Sequence, residues 1–388
     1  MTGRVVIAGA GIGGLTAALC LHAVGIEATV LESVGELRPL GVGINLLPRA
    51  VGELTELGLG EDLADIAVAT AKNIYCDSSG NTLFAEPRGI AGGYRWPQYS
   101  VHRGRLQMLL LSAVRERLGP HAVRTGTPLV GFDQHTDGVR VLLPGGEVEA
   151  AVLVGADGLH SVVRARLHPD QGPLLWSGVR MWRGVTETEP FLDGRSMVIV
   201  RGEQNVELIA YPIGPPLVNW VAQVPVAGPG PLPGDANWNR PGLPEDVLAH
   251  VGAWELGWLD VPGLVRDSSV LLEYPMADRD PLPWWGEGRV TLLGDAAHPM
   301  YPVGANGASQ AIIDAAVLAA ELADGVPGGL TAYEKARREA TTAVVTANRA
   351  MQRTGDTRSP ADLARITASY RRDTNADGRH STRACLGS

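Results

Sequence analysis

Two apolar runs of four residues, VVIA at Val5–Ala8 and ATVL at Ala28–Leu31, bracket a segment whose apolar positions recur at helical spacing over 14–24. Short runs that are apolar throughout read as strands buried on both faces, so the pattern predicts a βαβ unit. A strand followed by a turn and a helix returns at AAVLVGADGLHSVVRARL, with the strand over 151–154, and at RVTLLGDAAH near the end of the tryptophan-bearing region. Three such units predict one parallel sheet that binds a long ligand at its carboxyl edge. Alternation with a period of two marks the other segments. It runs through GVRMWRGVTET, SMVIVRG, VELIAYPI and LVNWVAQV, which predict antiparallel strands, and through 123–149, where Thr136-Asp137-Gly138 and Pro144-Gly145-Gly146 punctuate a meander. Helices are predicted over 105–117, over 245–252 and in LTAYEKARREATTAVVTANRAMQR, with PVAGPGPLPGDANWNRPG as an exposed loop.

The nine tryptophans lie between Trp96 and Trp285 and none falls in the three strand-turn-helix stretches, which divides the chain. The expected organisation is a discontinuous nucleotide-binding domain over 1–72, 99–168 and 286–325, with a substrate domain over 73–98 and 169–285 inserted in it. A helical segment over 326–373 and a disordered tail over 374–388 complete it. At 388 residues the chain is long enough for two cores. A formal charge of -9 argues against nucleic acid or an anionic membrane surface as partner, and no apolar run is long and charge-free enough to span a bilayer. Cys20, Cys76 and Cys385 show neither CxxC nor metal-ligand spacing, so no bound metal and no disulfide framework is expected. These features predict a cytoplasmic protein, monomeric or homodimeric, whose partner is a small molecule.

The first turn carries Gly9, Gly11 and Gly14 in GxGxxG spacing, and Glu32 closes the second strand. Such glycines permit a tight turn, close approach of a pyrophosphate to the helix-start N–H groups, and close packing of helix on strand. The acid accepts hydrogen bonds from an adenosine ribose. This fingerprint leaves nicotinamide and flavin dinucleotides both open. Asp157-Gly158 and Gly294-Asp295 end the later strands, and Asp295 reads as a buried carboxylate ahead of an unusually long loop.

With its three motifs in this order, the chain resembles the single-component FAD-dependent aromatic hydroxylases, the family of p-hydroxybenzoate, salicylate and 3-hydroxybenzoate hydroxylases. The strings RPLGVGIN, PQYSVHRG, MWRGVTE, YPMADRDPLPWWGEGRVTLLGDAAH and YPVGANGASQAI extend the likeness outside the cofactor motifs, toward members that act on phenazine carboxylates. The resemblance implies an α/β fold, a Rossmann-like FAD-binding domain with an inserted antiparallel-sheet substrate domain. It implies bound FAD, NADH or NADPH as transient co-substrate, and O2, which in the family adds at flavin C4a to give a hydroperoxide that attacks an electron-rich ring.

The same resemblance places Asp295 on the FAD ribityl chain, Arg103 on the ribityl or pyrophosphate, Gly41 and Gly43 against the flavin ring, and Asp157 near the ribose or the nicotinamide site. Pro302, Gly304, Asn306 and Gly307 would position the flavin pyrimidine edge through backbone N–H groups at a helix start, with no acid or base assigned. Many relatives carry Gly-Gln-Gly at this tip, whereas Ala305-Asn306-Gly307 stands here. His298 is expected to support the loop by hydrogen bonding.

Trp182, Tyr211, Trp220 and Tyr274 sit on strands expected to face the flavin and stack a planar substrate. Arg180 and Arg183 are expected to point away from Trp182 and to offer a carboxylate site at the pocket rim. The implied substrate is a fused aromatic acid of the phenazine-1-carboxylate type, hydroxylated with or without loss of the carboxyl group, with a salicylate-like acid as alternative. A flavin-dependent halogenase would carry WxWxIP and a catalytic lysine in context, and neither occurs. A non-catalytic flavin protein would show a disrupted loop before the last helix, and here that loop is complete apart from its tip.

Overall fold

The computed structural model describes residues 3–234, 240–326 and 328–353, so the expected tail over 374–388 and the helical segment beyond 353 lie outside the described residues. Val5–Ala8 occupies the middle of a five-stranded sheet. Ala28–Leu31 and then Val123–Arg124 lie to one side of it, Val152–Gly155 and then Val290–Leu292 to the other, all parallel. Four of these strands are buried at every position, which is why their sequences are apolar without alternation. The carboxyl ends of Val5–Ala8, Val152–Gly155 and Val290–Leu292 are neighbours, so the three motif turns converge on one edge. Helix Ile12–Ala23 begins two residues earlier than its periodicity suggested and packs on Arg103–Leu118 and on Asn306–Ala323. Its close approach needs Gly13, where a Cβ would stand 2.7 Å from Leu293.

The four alternating runs supply four of the eight strands of a second sheet, and the meander expected over 123–149 closes with Gly131–His135, Gly138–Leu143 and Gly146–Ala150. Val123–Arg124 departs from that meander and extends the parallel sheet instead. The large sheet is mixed, because Ser196–Arg201 runs parallel to the distant Lys72–Asp77. A short strand, Gly230–Pro231, lies inside the segment expected to be an exposed loop and pairs with Leu175–Trp176.

Each strand of the large sheet alternates between two faces. One face carries Trp182, Val198, Leu208 and Trp220 and is covered by helices Pro244–Val251 and Val261–Arg266. The opposite face carries Arg183, Met197, Ile199, Tyr211 and Val221 and looks toward the parallel sheet. Helix Gly328–Arg353 packs along Asn306–Ala323. Among the described residues no helix is long and apolar enough to cross a membrane.

Candidate active site

Between the carboxyl edge of the parallel sheet and the inner face of the large sheet lies a cavity of about 1390 Å³. Single-ligand pockets run to roughly 1,000 Å³, so this space suits a cofactor together with a second molecule. At one end stands the glycine turn. A Cβ at Gly14 would sit 2.0 Å from the Gly9 carbonyl oxygen, whereas one at Gly11 would meet nothing within 4 Å. Gly14 therefore serves packing, and Gly11 opens onto the cavity. The helix behind it has no side-chain cap, which leaves its first N–H groups free for a pyrophosphate. Glu32 pins this turn by accepting from the Ala10 N–H at 2.8 Å, while its other oxygen accepts from Val34 and Ser33. Gln107, which no motif marks, holds the turn from the opposite side through the Ala10 carbonyl at 2.7 Å.

Asp157 lines the cavity, yet its carboxylate is occupied by its own helix start: Ser161 Oγ donates to it at 2.5 Å and the Val162 N–H at 2.8 Å. Burial raises its pKa and these hydrogen bonds oppose the shift. The carboxylate read as buried, Asp295, instead stands open to the cavity. Because protein walls that cavity, desolvation raises its pKa, against the charges of His298 and Arg103. The buried carboxylate of this turn is Asp314, on helix Asn306–Ala323. It accepts from the Gly294 N–H at 3.1 Å, from His298 Nε2 at 2.6 Å and from Arg337 Nε at 2.8 Å. Burial works against its charge, but His298 and Arg337 outweigh burial and hold its pKa below the ordinary value. His298 thus supports the turn.

The long loop ends in Gly304 and Ala305, both left-handed at φ of 69° and 66°, before the helix begins without a side-chain cap. Pro302, Gly304 and Gly307 line the cavity, so backbone groups face it here. The Asn306 side chain turns inward, toward the Val303 carbonyl and Asn348 Oδ1, both at 3.4 Å. Asn348 Nδ2 donates to the Tyr301 carbonyl at 3.1 Å and braces the loop from helix Gly328–Arg353.

Arg103 and Gly41 stand together on the cavity wall. Burial lowers the Arg103 pKa, and the neighbouring Asp295 works in the other direction. Gly43 is not on that wall. Its N–H donates to Asn219 Oδ1 at 2.6 Å, and its carbonyl accepts from Tyr211 at 2.9 Å and from Arg183, which clamps the segment to the large sheet.

Of the four aromatics expected to face the flavin, Tyr211 and Tyr274 line the cavity. Trp182 and Trp220 do not. They are 1% and 0% exposed on the opposite sheet face, packed under the two helices. Arg180 also differs from expectation. Residues two apart on a strand share a face, so its guanidinium lies over the Trp182 ring at 5.8 Å and pairs with Glu273 at 3.5 Å. Of Arg180 and Arg183, Arg183 alone reaches the cavity.

A family model described as an FAD binding domain matches residues 2–189 and 273–348. The chain belongs to the single-component FAD-dependent aromatic hydroxylases. Among curated members of this family, it is 54% identical over 391 aligned positions to phenazine 1,6-dicarboxylic acid hydroxylase PhzS of Lysobacter antibioticus, covering 95% of this chain and 96% of that protein. It is 34% identical to 3-hydroxybenzoate 6-hydroxylase 1 of Aquipseudomonas alcaligenes, over 90% and 88% of the two chains. The solved structure of Klebsiella pneumoniae HpxO with FAD and uric acid shares the fold at a TM-score of 0.77 and 24% identity, covering 96% of this chain and 92% of that one. This hydroxylase is an FAD-dependent aromatic monooxygenase that uses NAD(P)H and O2. The open space before Gly11, the two uncapped helix starts and the cavity volume fit FAD.

Proposed function

We propose that this hydroxylase acts on a fused aromatic acid of the phenazine-1-carboxylate type and places oxygen on the carbon that bears the carboxyl group. The observation that carries the reading is the cavity, in which a cofactor half joins a second half walled by Met197, Ile199, Tyr211, Val221 and Tyr274. Apolar and aromatic walls suit a large flat ring, and the 54% identical relative is named for a phenazine acid. In this reading the helix start at Gly11 receives the pyrophosphate, Glu32 the adenosine ribose, Asp295 and Arg103 the ribityl chain, and Gly41 with the Pro302 to Gly307 loop the flavin ring. Bound FAD supplies reduction by NAD(P)H and activation of dioxygen. The protein contributes orientation and exclusion of water, since the ring would lie between the inner sheet face and the loop.

The overall change balances as aromatic carboxylate, O2, NAD(P)H and two protons giving the hydroxylated ring, CO2, NAD(P)+ and water. The carbon–carboxyl bond breaks, its electron pair stays with the ring, and rearomatisation drives the loss. The enzyme is assigned to the cytoplasm as a monomer or homodimer. Incubation with phenazine-1-carboxylic acid under labelled dioxygen, followed by mass spectrometry, tests the reaction. One labelled oxygen in a decarboxylated product is expected. A labelled product that keeps its carboxyl group would reduce the reading to plain ring hydroxylation, and turnover of benzoate-type acids alone would replace the phenazine substrate.

A further inference from the structure

Five arginines reach the cavity wall: Arg88, Arg103, Arg183, Arg201 and Arg349. Four have a carboxylate beside them. Arg88 pairs with Glu86 at 3.4 Å, Arg201 with Glu207 at 2.7 Å and Arg349 with Asp278 at 2.7 Å, while Arg103 feels the charge of Asp295. Arg183 differs. Among the described residues its partners are the Gly43 carbonyl and the hydroxyls of Tyr211 and Tyr274, and its Nε is buried with no partner. Burial raises the Tyr211 pKa, so that phenol is a dipole and supplies no counter-charge. The neighbouring Arg103 adds a second positive charge, against the single negative charge of Asp295. Of the other carboxylates on the wall, Glu207 pairs with Arg201 and Asp157 is engaged by its helix start. A guanidinium drawn from water without a counter-ion is costly, and an arriving anion relieves that cost.

The location gives the charge a use. Arg183 reaches the Gly43 carbonyl, two residues from the wall position of Gly41, so it stands where the cofactor half of the cavity meets the substrate half. We propose that Arg183, flanked by the Tyr211 and Tyr274 hydroxyls, seats the carboxylate of the aromatic substrate and turns the acid-bearing edge of the ring toward the cofactor half. This rests on the aromatic-acid reading above and makes Arg183 the residue that selects acids over neutral analogues. A guanidinium with adjoining hydroxyls is suited to hold both oxygens of a carboxylate.

The test is equilibrium binding to the FAD-loaded enzyme, followed by the flavin difference spectrum, with phenazine-1-carboxylic acid, its carboxamide, 3-hydroxybenzoate and 3-hydroxybenzamide. Wild type is expected to favour each acid over its amide by about 10-fold or more, as a charge-assisted hydrogen-bonded pair implies. Arg183→Gln should lose that preference by weakening acid binding alone, and Arg183→Lys should keep part of it. A wild type indifferent to charge, or an Arg183→Gln enzyme that retains the preference or weakens acid and amide equally, overturns the proposal and leaves Arg183 a tether for Gly43. Should Arg183→Gln shed its flavin, Tyr274→Phe carries the comparison: a narrowed acid preference supports the seat and an unchanged one overturns it. If only the benzoate pair binds, the phenazine reading fails while the acid-to-amide ratio of that pair still decides the role of Arg183.

Discussion

Asp295 and Asp314 serve the same turn from opposite sides, one open to the cavity and one in the core. Their replacements should therefore fail differently. Asp295→Ala removes a cavity acceptor and no packing, so it should melt near the wild-type temperature yet bind FAD more weakly by about 1 to 3 kcal/mol. Flavin absorbance after gel filtration reads this, and full occupancy at unchanged affinity would take Asp295 out of the cofactor site. Asp314→Asn removes the carboxylate that the buried Arg337 and His298 share, a loss of roughly 3 to 5 kcal/mol in folding stability. The wild-type ion pair also sets a pH dependence. The folded pKa of Asp314 is depressed from its ordinary value of 3.8, so its contribution is complete above that value and is lost as the pH falls through the lower folded one. Acid unfolding of the wild type below about pH 4 should thus have a steep component that Asp314→Asn lacks. The sequence singled out Asp295 because it follows a glycine at a strand end, though it did not show that the carboxylate stands open to the cavity. Asp314 was not singled out, since a lone acid in an apolar helical run looks like a solvent-facing position until Arg337 and His298 are brought to it.

At the scale of elements, the large sheet decides which aromatics belong to chemistry and which to stability. Trp220 is fully buried, in the cluster that also holds Val247, Val251 and Leu264. Trp220→Ala should cost about 3 to 5 kcal/mol in thermal or urea unfolding, with the aromatic-acid KM unchanged in the folded fraction. A raised KM at unchanged stability would put Trp220 on the cavity side. Helix Gly328–Arg353 meets the loop through Val344 and Val345, which pack with Met300, and through Asn348. Asn348→Leu removes the donor to the Tyr301 carbonyl, and FAD affinity should fall by about 0.5 to 1.5 kcal/mol as the loop loosens. Isothermal titration with FAD checks this, and affinity equal to wild type would show that the loop is held without that brace. Period-two alternation identified the strands, but it does not say which face is inward. That assignment waits on what covers each side.

For the whole molecule, one cavity joins the two sheets, and the chain carries a single GxGxxG. The nicotinamide co-substrate then lacks a nucleotide fold of its own, and its approach depends on how the flavin and the aromatic substrate fill the shared space. Flavin reduction by NADH or NADPH should be slow alone and accelerate when an aromatic acid is bound, as followed by stopped-flow loss of flavin absorbance. Fast reduction indifferent to every aromatic offered would point to an oxidase-like site with no such coupling.

The sequence by itself determined the parallel sheet, its strand-end motifs and a dinucleotide as the type of ligand, because each is a local pattern: an apolar run, a glycine where a Cβ would collide, an acid at a fixed offset. The choice of flavin came from the family resemblance. Arg103, Gly304 and Gly307, which the family resemblance singled out, line the cavity. Tertiary structure alone decided the rest. The parallel pairing of Ser196–Arg201 with Lys72–Asp77 spans more than a hundred residues of chain. The inward face of the large sheet was fixed only when two helices covered Trp182 and Trp220, and that packing is what left Arg183 facing the cavity with no carboxylate paired to it among the described residues.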